Sequence, residues 1–425
     1  MKLLQMARET ATIVEKLIKR EDLGEIASLS RKSFTRKRQL TCERLLLLIM
    51  GGIHLSLQLA TDNFFEKIGH KEDTVSKQAV SKARTNLNPD IIEGAFIDQT
   101  KKFRKCDDIK LWKEKYQICA IDGSDIALDN STELKSFFGC SGKTNDATTA
   151  MLSTAFDPLN NWILDASLSP YKTDERTAAK QHIKNIGKLP IRRGVRNLFI
   201  LDRGYPSREF IAYLIDEKHS FIMRVRNKFS LDFDAVKGDE RVVFTHEKKR
   251  YKVRVIKVVL STGEVETLVT NLSPKELKSD EAGPLYFERW GIEIKYNSLK
   301  NKLQLGNFSG RRVITVMQDF WALMFISNMM SCVEFQSNEK IAENSIDKSN
   351  KYEQTTNENR LVEKFTKNFL KCLLESSPTK RDKLFVELIA DISRYPVEVK
   401  PNRIVARKTS RKIKYPDRYK VVGLA

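Results

Sequence analysis

YQICAIDGSDIAL, residues 116–128, is where this chain changes character. Before it, residues 1 to about 112 run in long segments of helical period with few strand-like stretches. After it, TTAMLSTAFD (148–157) and NWILDASLSPY (161–171) are strand-like runs set apart by turn residues, which predicts a three-strand meander. TDERTAAKQHIKNI (173–186) reads as a helix with a threonine cap and an acidic first turn. VRNLFILDRGYPS (195–207) is a buried strand ending in a turn, REFIAYLIDEKH (208–219) a helix, and SFIMRVR (220–226) a further strand. The order βββαβαβ predicts a mixed five-stranded α/β sheet. Residues 231–272, with VVFT, YKVRVIKVVL and EVETLVTNL, add a β-rich piece whose place between strong elements marks it as an insertion.

Two acids stand at strand ends. Asp122 follows a buried β run and precedes Gly123, and Asp202 sits where an apolar strand gives way to a turn. A carboxylate there is costly unless it is paired, hydrogen-bonded or bound to a metal. One such aspartate reads most simply as a turn cap; two on neighbouring strands point toward a metal site. Asp125, past Gly123, is a weaker ligand, and Asp157 and Asp165 flank a turn and read as structural.

A third acid comes from LYFERWGIEIKYNSLKNKLQL (285–305). Read as one helix, it puts Ile292, Tyr296, Leu299 and Leu303 on a core-facing stripe. Tyr286, Arg289, Glu293 and Lys300 form a second stripe about a quarter-turn away. Glu/Lys pairs on an ordinary exposed helix would leave the same pattern. Beside two strand-end aspartates, however, Glu293 completes a hard-oxygen cage suited to Mg²⁺ or Mn²⁺. Two such ions suit phosphodiester displacement, with Arg289 and Lys300 aimed at a DNA backbone and Tyr286 at its edge. Trp290 would stack on a base or pack against the core.

The charge supports such a partner. Across 425 residues, 75 Lys+Arg against 55 Asp+Glu leave +20, which favours a polyanion through steering and counterion release. DTVSKQAVSKARTNLNPD (73–90), starting at Asp73/Thr74, offers a basic face with Lys77, Gln78, Ser81, Lys82 and Arg84 that suits either a DNA groove or a bundle surface. Arg192, Arg193 and Arg196, Lys248, Lys249 and Arg250, and Arg311 and Arg312 are second-rank contacts. Six scattered cysteines without a CxxC pair fit reduced thiols in a cytosolic protein, and five histidines without HExxH argue against zinc. LLLLIMGGIHLSLQLA (45–60) and FWALMFISNMMSCV (320–333) read as buried helices too short or interrupted to span a bilayer, and the charged N-terminus is no signal peptide.

Tyr286-x2-Arg289-x3-Glu293-x6-Lys300 matches without a gap the YREK signature of a group of bacterial insertion-sequence transposases. IDGS around Asp122 and LDRGYPS around Asp202 resemble that group's two Asp motifs, so the resemblance covers roughly 115–335. It implies a ribonuclease-H-like catalytic domain with Asp122, Asp202 and Glu293 as the metal-binding DDE triad. It also implies two Mg²⁺ (or Mn²⁺) ions and Tyr286, Arg289 and Lys300 as contacts to the DNA end. Arg203, beside Asp202, joins Trp290, Lys77, Lys82 and Arg84 as further DNA-contact candidates.

The expected domains are a helical DNA-binding region at 1–112, the catalytic domain at 113–335 with its β-rich insertion at 231–272, and residues 336–425. That last part would hold a polar linker (338–359), two helices (about 360–376 and 379–393) and a basic tail (400–420). The expected activity is cutting of the element's ends and joining of 3′-hydroxyls to target DNA. The partners are double-stranded terminal repeats and target DNA, met by a homodimer built through the C-terminal helices, in a bacterial, nucleoid-associated setting. The alternatives are an inactive relative that only binds DNA and a structure-selective nuclease.

Overall fold

Tyr116–Ile121 and Leu198–Leu201 are almost wholly buried, and continuous burial on both faces is what a central parallel strand requires. In the structure, a computed structural model that describes residues 3–30, 33–36, 38–52, 56–142, 146–346 and 351–399, these runs become β1 (Tyr116–Ala127) and β5 (Arg196–Leu201). They pair in parallel from Tyr116↔Arg196 to Ile121↔Leu201. Each fully buried isoleucine or leucine contributes about 1.5–3 kcal/mol. Hydrophobic burial therefore holds this pairing, and the acids that follow it contribute nothing to it.

A short β2 (Cys140–Ser141) precedes β3 (Ala147–Asp157), which neighbours β1, and β4 (Trp162–Pro170) pairs with β3. On the other side β6 (Ser220–Val225) runs parallel to β5. Leaving the two-residue β2 aside, the first five strands lie in the order β4-β3-β1-β5-β6. Helix Glu175–Lys188 links β4 to β5, and helix Arg208–Asp216 links β5 to β6. This is the ribonuclease-H-like mixed α/β arrangement anticipated above.

The sheet does not stop at five strands. β7 (Asp239–His246), β8 (Lys249–Val259) and β9 (Val265–Thr270) carry it on to nine, through antiparallel pairing of β9 with β6 from Ile222↔Thr270 to Val225↔Thr267. The β-rich segment at 231–272, which lies in sequence between β6 and the helix carrying Glu293, therefore extends the same sheet. Without it, β6 would present an open edge of unpaired backbone groups. Ile256 and Leu268 share one core with Ile118, Leu198, Ile200 and Ile222, and helix Ser279–Phe287 adds Ala282, Leu285 and Tyr286 to it.

The chain divides into two compact units. Ile109–Ser124 with Met151–Asn297 form the unit holding most of the sheet. Met1–Asp108, Asp125–Ala150 and Ser298–Ala425 form the other, so the N- and C-terminal helices share a unit. Its axis is helix Val313–Glu343, 31 residues long and apolar enough to cross a membrane by composition alone. In its most apolar stretch 72% is buried inside the protein, as in the core helix of a globular domain. It packs against helices Leu3–Ile18, Cys42–Met50, Asp90–Phe103, Glu358–Leu374 and Pro378–Ser393.

The last two helices bury Leu361, Phe365 and Phe369, and Phe385, Leu388 and Ile392, within the chain's own core, so a dimer built through them would use their other faces. The presumed linker is largely structured: the long helix runs to Glu343, and Gln354–Thr355 pairs with Val397–Glu398 before the next helix begins at Glu358. The basic tail at 400–420 lies outside the described residues. All six cysteines are free thiols.

Candidate active site

Because Ile121 and Leu201 are register partners, the next residue on each parallel strand is an aspartate, and the two stand side by side. Neighbouring strands lie about 4.8 Å apart. Asp122 and Asp202 also continue the period-two face of Ile118 and Ala120 and of Leu198 and Ile200, the face that helix Ser279–Phe287 covers. Carboxyl ends of parallel strands are where open α/β sheets bind ligands. Tyr286, from that helix, donates its hydroxyl to Asp202 Oδ1 at 3.2 Å. Tyr296 donates to the Asp122 carbonyl at 2.6 Å and accepts from Thr154 Oγ1 at 2.9 Å.

Glu293 arrives differently. The stretch read as one helix is two, Ser279–Phe287 and Trp290–Asn297, followed by a π-helical turn at Ser298–Lys302. Between the helices the backbone tightens to i→i−3 bonds: Glu288 to Leu285, Arg289 to Tyr286, Gly291 to Glu288 and Ile292 to Arg289. Such 3₁₀ steps and π turns recur at functional sites. Gly291 makes the step possible, since a Cβ there would lie 2.9 Å from Pro158 Cβ in the β3–β4 turn. The apolar stripe survives the break, with Ile292, Tyr296, Leu299 and Leu303 all buried.

Arg289 joins the acids. Its Nη2 lies 2.9 Å from Glu293 Oε1 and its Nη1 3.8 Å from Asp122 Oδ2. Arg289 is 4% exposed, and its Nε has no hydrogen-bond partner among the described residues. Tyr286 and Arg289, expected as contacts to a DNA end, are thus buried against the carboxylates. Trp290 stays exposed, with the Arg289 guanidinium 4.9 Å from its ring centroid.

A fourth carboxylate was missed in the sequence. Glu175 begins the helix after β4, where an acid reads as favourable to the helix dipole. A Cβ added to Gly123 would stand 3.4 Å from Glu175 Oε1, and one added to Gly204 3.4 Å from its Oε2. The carboxylate therefore fits between the backbones that follow Asp122 and Asp202. Arg176 fixes this placement by donating to the carbonyls of Tyr205 at 3.0 Å and Gly204 at 3.4 Å.

The electrostatics reflect crowding. Burial pushes the Asp122 carboxyl up to about 7; the Gly123 N–H and Arg289 oppose the rise, and Asp202 and Glu175 add to it. Burial likewise raises the Tyr205 hydroxyl, and Asp122, Glu175 and Asp202 raise it further. That hydroxyl is buried without a hydrogen-bond partner among the described residues.

These features fit a hard divalent cation. The donors are all carboxylate oxygens, one organic cation already bridges Asp122 and Glu293, and an orphaned hydroxyl faces the charge. The fit requires adjustment, however. Among the described residues the only trio of metal-type ligand atoms within 4.8 Å of one another is His70, Glu72 and Asp73, at an exposed turn. The acids around Asp122 must close in, with Arg289 giving way.

Behind the site, His182 bridges Asp165 Oδ2 at 2.8 Å and Ser153 Oγ at 3.0 Å, and Ser153 Oγ approaches the Asp122 carbonyl at 3.3 Å. All three side chains are buried, so this trio braces Asp122 and is closed to substrate. Asp157 accepts from Gln117 and Asn160 and shapes the β3–β4 turn.

The remaining sites scatter. Arg203 is exposed beside Asp202. Lys300 lies in the π-helical turn and donates to the Asp125 carbonyl at 2.8 Å. The helix carrying Lys77 and Lys82 starts at Lys77 under a Ser76 cap, because Lys71–Asp73 form a 3₁₀ turn; both lysines are exposed. Arg84, expected at DNA, is 1% exposed. Four of its five N–H donors go to Gln318, Ser309, Asp319 and the Thr315 carbonyl. Buried in this way it anchors a core and is closed to a phosphate.

Comparison with known proteins agrees with the site. No curated protein sequence matches the chain. Among solved structures, a cryo-EM structure of a piggyBac transposase synaptic complex with hairpin DNA is similar at 10% identity and a TM-score of 0.44, over 96% of this chain and 87% of that one. That likeness is too loose to carry an argument. The family model for the transposase DDE domain matches residues 113–329, just over half of the chain and the stretch that contains Asp122, Asp202 and Glu293. The chain belongs to the transposase DDE domain family.

Proposed function

We propose that this protein is a DNA transposase that cuts the ends of an insertion sequence and joins the resulting 3′-hydroxyls to target DNA. Asp122, Asp202 and Glu293 would hold two Mg²⁺ or Mn²⁺ ions. When bound, such ions activate the attacking oxygen and stabilise the leaving one in phosphodiester displacement.

The observation that carries this reading is the parallel register of Ile121 with Leu201, which delivers two aspartates together at the strand ends. Glu293 reaches the same cluster through Arg289. Tyr286 and Tyr296 orient Asp202 and Asp122 by hydrogen bonds to a carboxylate and to a carbonyl. Arg289 pairs with Glu293 and approaches Asp122; with a cation held by the acids, its guanidinium would be free to bind a phosphate. Exposed Arg203 and Trp290 would touch DNA beside the acids, and Lys77 and Lys82 would bind backbone phosphates elsewhere. Breaking two ends in concert calls for a homodimer in the paired-end complex.

The test is Asp122→Asn, Asp202→Asn and Glu293→Gln on DNA carrying the element's terminal inverted repeats, with Mg²⁺. Each variant should stop 3′-hydroxyl formation and strand transfer while still shifting end DNA in a gel. Cutting by any two of them would refute the assignment.

A further inference from the structure

We propose that Glu175 is a further cation ligand of this site, sharing one divalent ion with Asp122 and Asp202, and that the buried Tyr205 hydroxyl supplies a hydrogen bond within it. The proposal rests on the reading of Asp122 and Asp202 as cation ligands. Three independent placements converge on it.

The first is the cradle. Both oxygens of Glu175 face glycines, Oε1 toward Gly123 and Oε2 toward Gly204, at 3.4 Å from where a Cβ would stand. These glycines follow Asp122 by one residue and Asp202 by two. A Cβ at either would stand in van der Waals contact with the carboxylate.

The second is how Glu175 is held. Asp174 caps its helix by accepting from Thr177 N at 2.9 Å. Arg176, the next residue, grips the carbonyls of Gly204 and Tyr205. The first turn of the helix is thereby fastened to the Asp202 turn. Glu175 is exposed, so an ion can reach it from solvent.

The third is Tyr205. At 1% exposure, its hydroxyl has no hydrogen-bond partner among the described residues and lies within reach of the charges of Asp122, Glu175 and Asp202. A buried orphan hydroxyl costs about 1–3 kcal/mol. Hydrogen bonding to a hydrated cation and its ligands would remove that cost. Three carboxylates completed by water are the donor set that hard cations such as Mg²⁺ or Mn²⁺ prefer.

The test uses the full chain and Mn²⁺ alone, with free Mn²⁺ followed by electron paramagnetic resonance and without DNA. Glu175→Gln should weaken Mn²⁺ binding at least tenfold, Glu175→Asp should recover part of it, and Tyr205→Phe should weaken it about tenfold, the scale of outer-sphere partners. The unfolding temperature of metal-free Glu175→Gln should equal or exceed that of the unaltered protein, because a like charge is removed. Unaltered Mn²⁺ affinity in Glu175→Gln, beside a clear loss in Asp122→Asn, overturns this inference and leaves the proposed function standing. Unaltered affinity in Asp122→Asn and Asp202→Asn overturns both.

Discussion

The three acids of this site are mounted in two ways. Asp122 and Asp202 extend from the ends of register-paired parallel strands whose residues are buried to the last position. Glu293 rides on an eight-residue helix set between a 3₁₀ step and a π turn. Strand mounting fixes two carboxylates against each other. Helix mounting leaves the third on an element with weak local hydrogen bonding, held by Arg289 and by the contact of Gly291 with Pro158. The aspartates form the fixed half of the site and the glutamate its adjustable half.

The largest effects should come from removing the acids themselves. Asp122→Asn, Asp202→Asn and Glu293→Gln should each lower the rate of end cleavage by on the order of 10⁴-fold, the scale of losing one member of a catalytic set. Conservative swaps separate the two mountings by cleavage rate: Asp→Glu at 122 or 202 should be as damaging as Asp→Asn, whereas Glu293→Asp should retain partial activity. Equal loss in all three conservative variants would erase the distinction.

Next comes Gly291→Ala. Its new Cβ would press on Pro158 and should cost about 1–3 kcal/mol in urea unfolding, as overpacking does. It should also slow cleavage by tilting Glu293 while leaving the strands in place. A variant with unaltered stability and rate would mean that the close approach does not hold the helix.

Tyr286→Phe removes one long hydrogen bond to Asp202, and a loss of about 1 kcal/mol in the same measurement is expected. A pH dependence in EDTA tests the electrostatics of the fixed half. With its folded pKa raised from the usual carboxylate value to about 7, Asp122 binds its proton more tightly folded than unfolded. Stability therefore falls as pH rises from about 4 to 7 and is level above. The stabilisation by Asp122→Asn should grow across that window and then plateau; a gain independent of pH would contradict the cause assigned to it.

The sequence was legible where structure is local. The meander, its two following α/β units and both strand-end aspartates could be read because buried parallel strands write themselves as apolar runs. The extension into nine strands could not, since it depends on β9 finding β6 some forty residues away. Helical spacing and the YREK-like pattern picked out Glu293 and Arg289, but a uniform 3.6 period hid the break into two helices and a π-helical turn. Arg84 looked like a surface base because its four partners lie more than 220 residues along the chain. Glu175 passed as a first-turn acid, for its significance comes from two glycines on other elements.

Anomalous diffraction from crystals of the full chain soaked in Mn²⁺ tests the central claim most directly. An ion held jointly by Asp122 and Asp202, with Arg289 swung away from Glu293, is the predicted result. Manganese found solely at His70, Glu72 and Asp73, with the strand-end aspartates still facing Arg289, would contradict it.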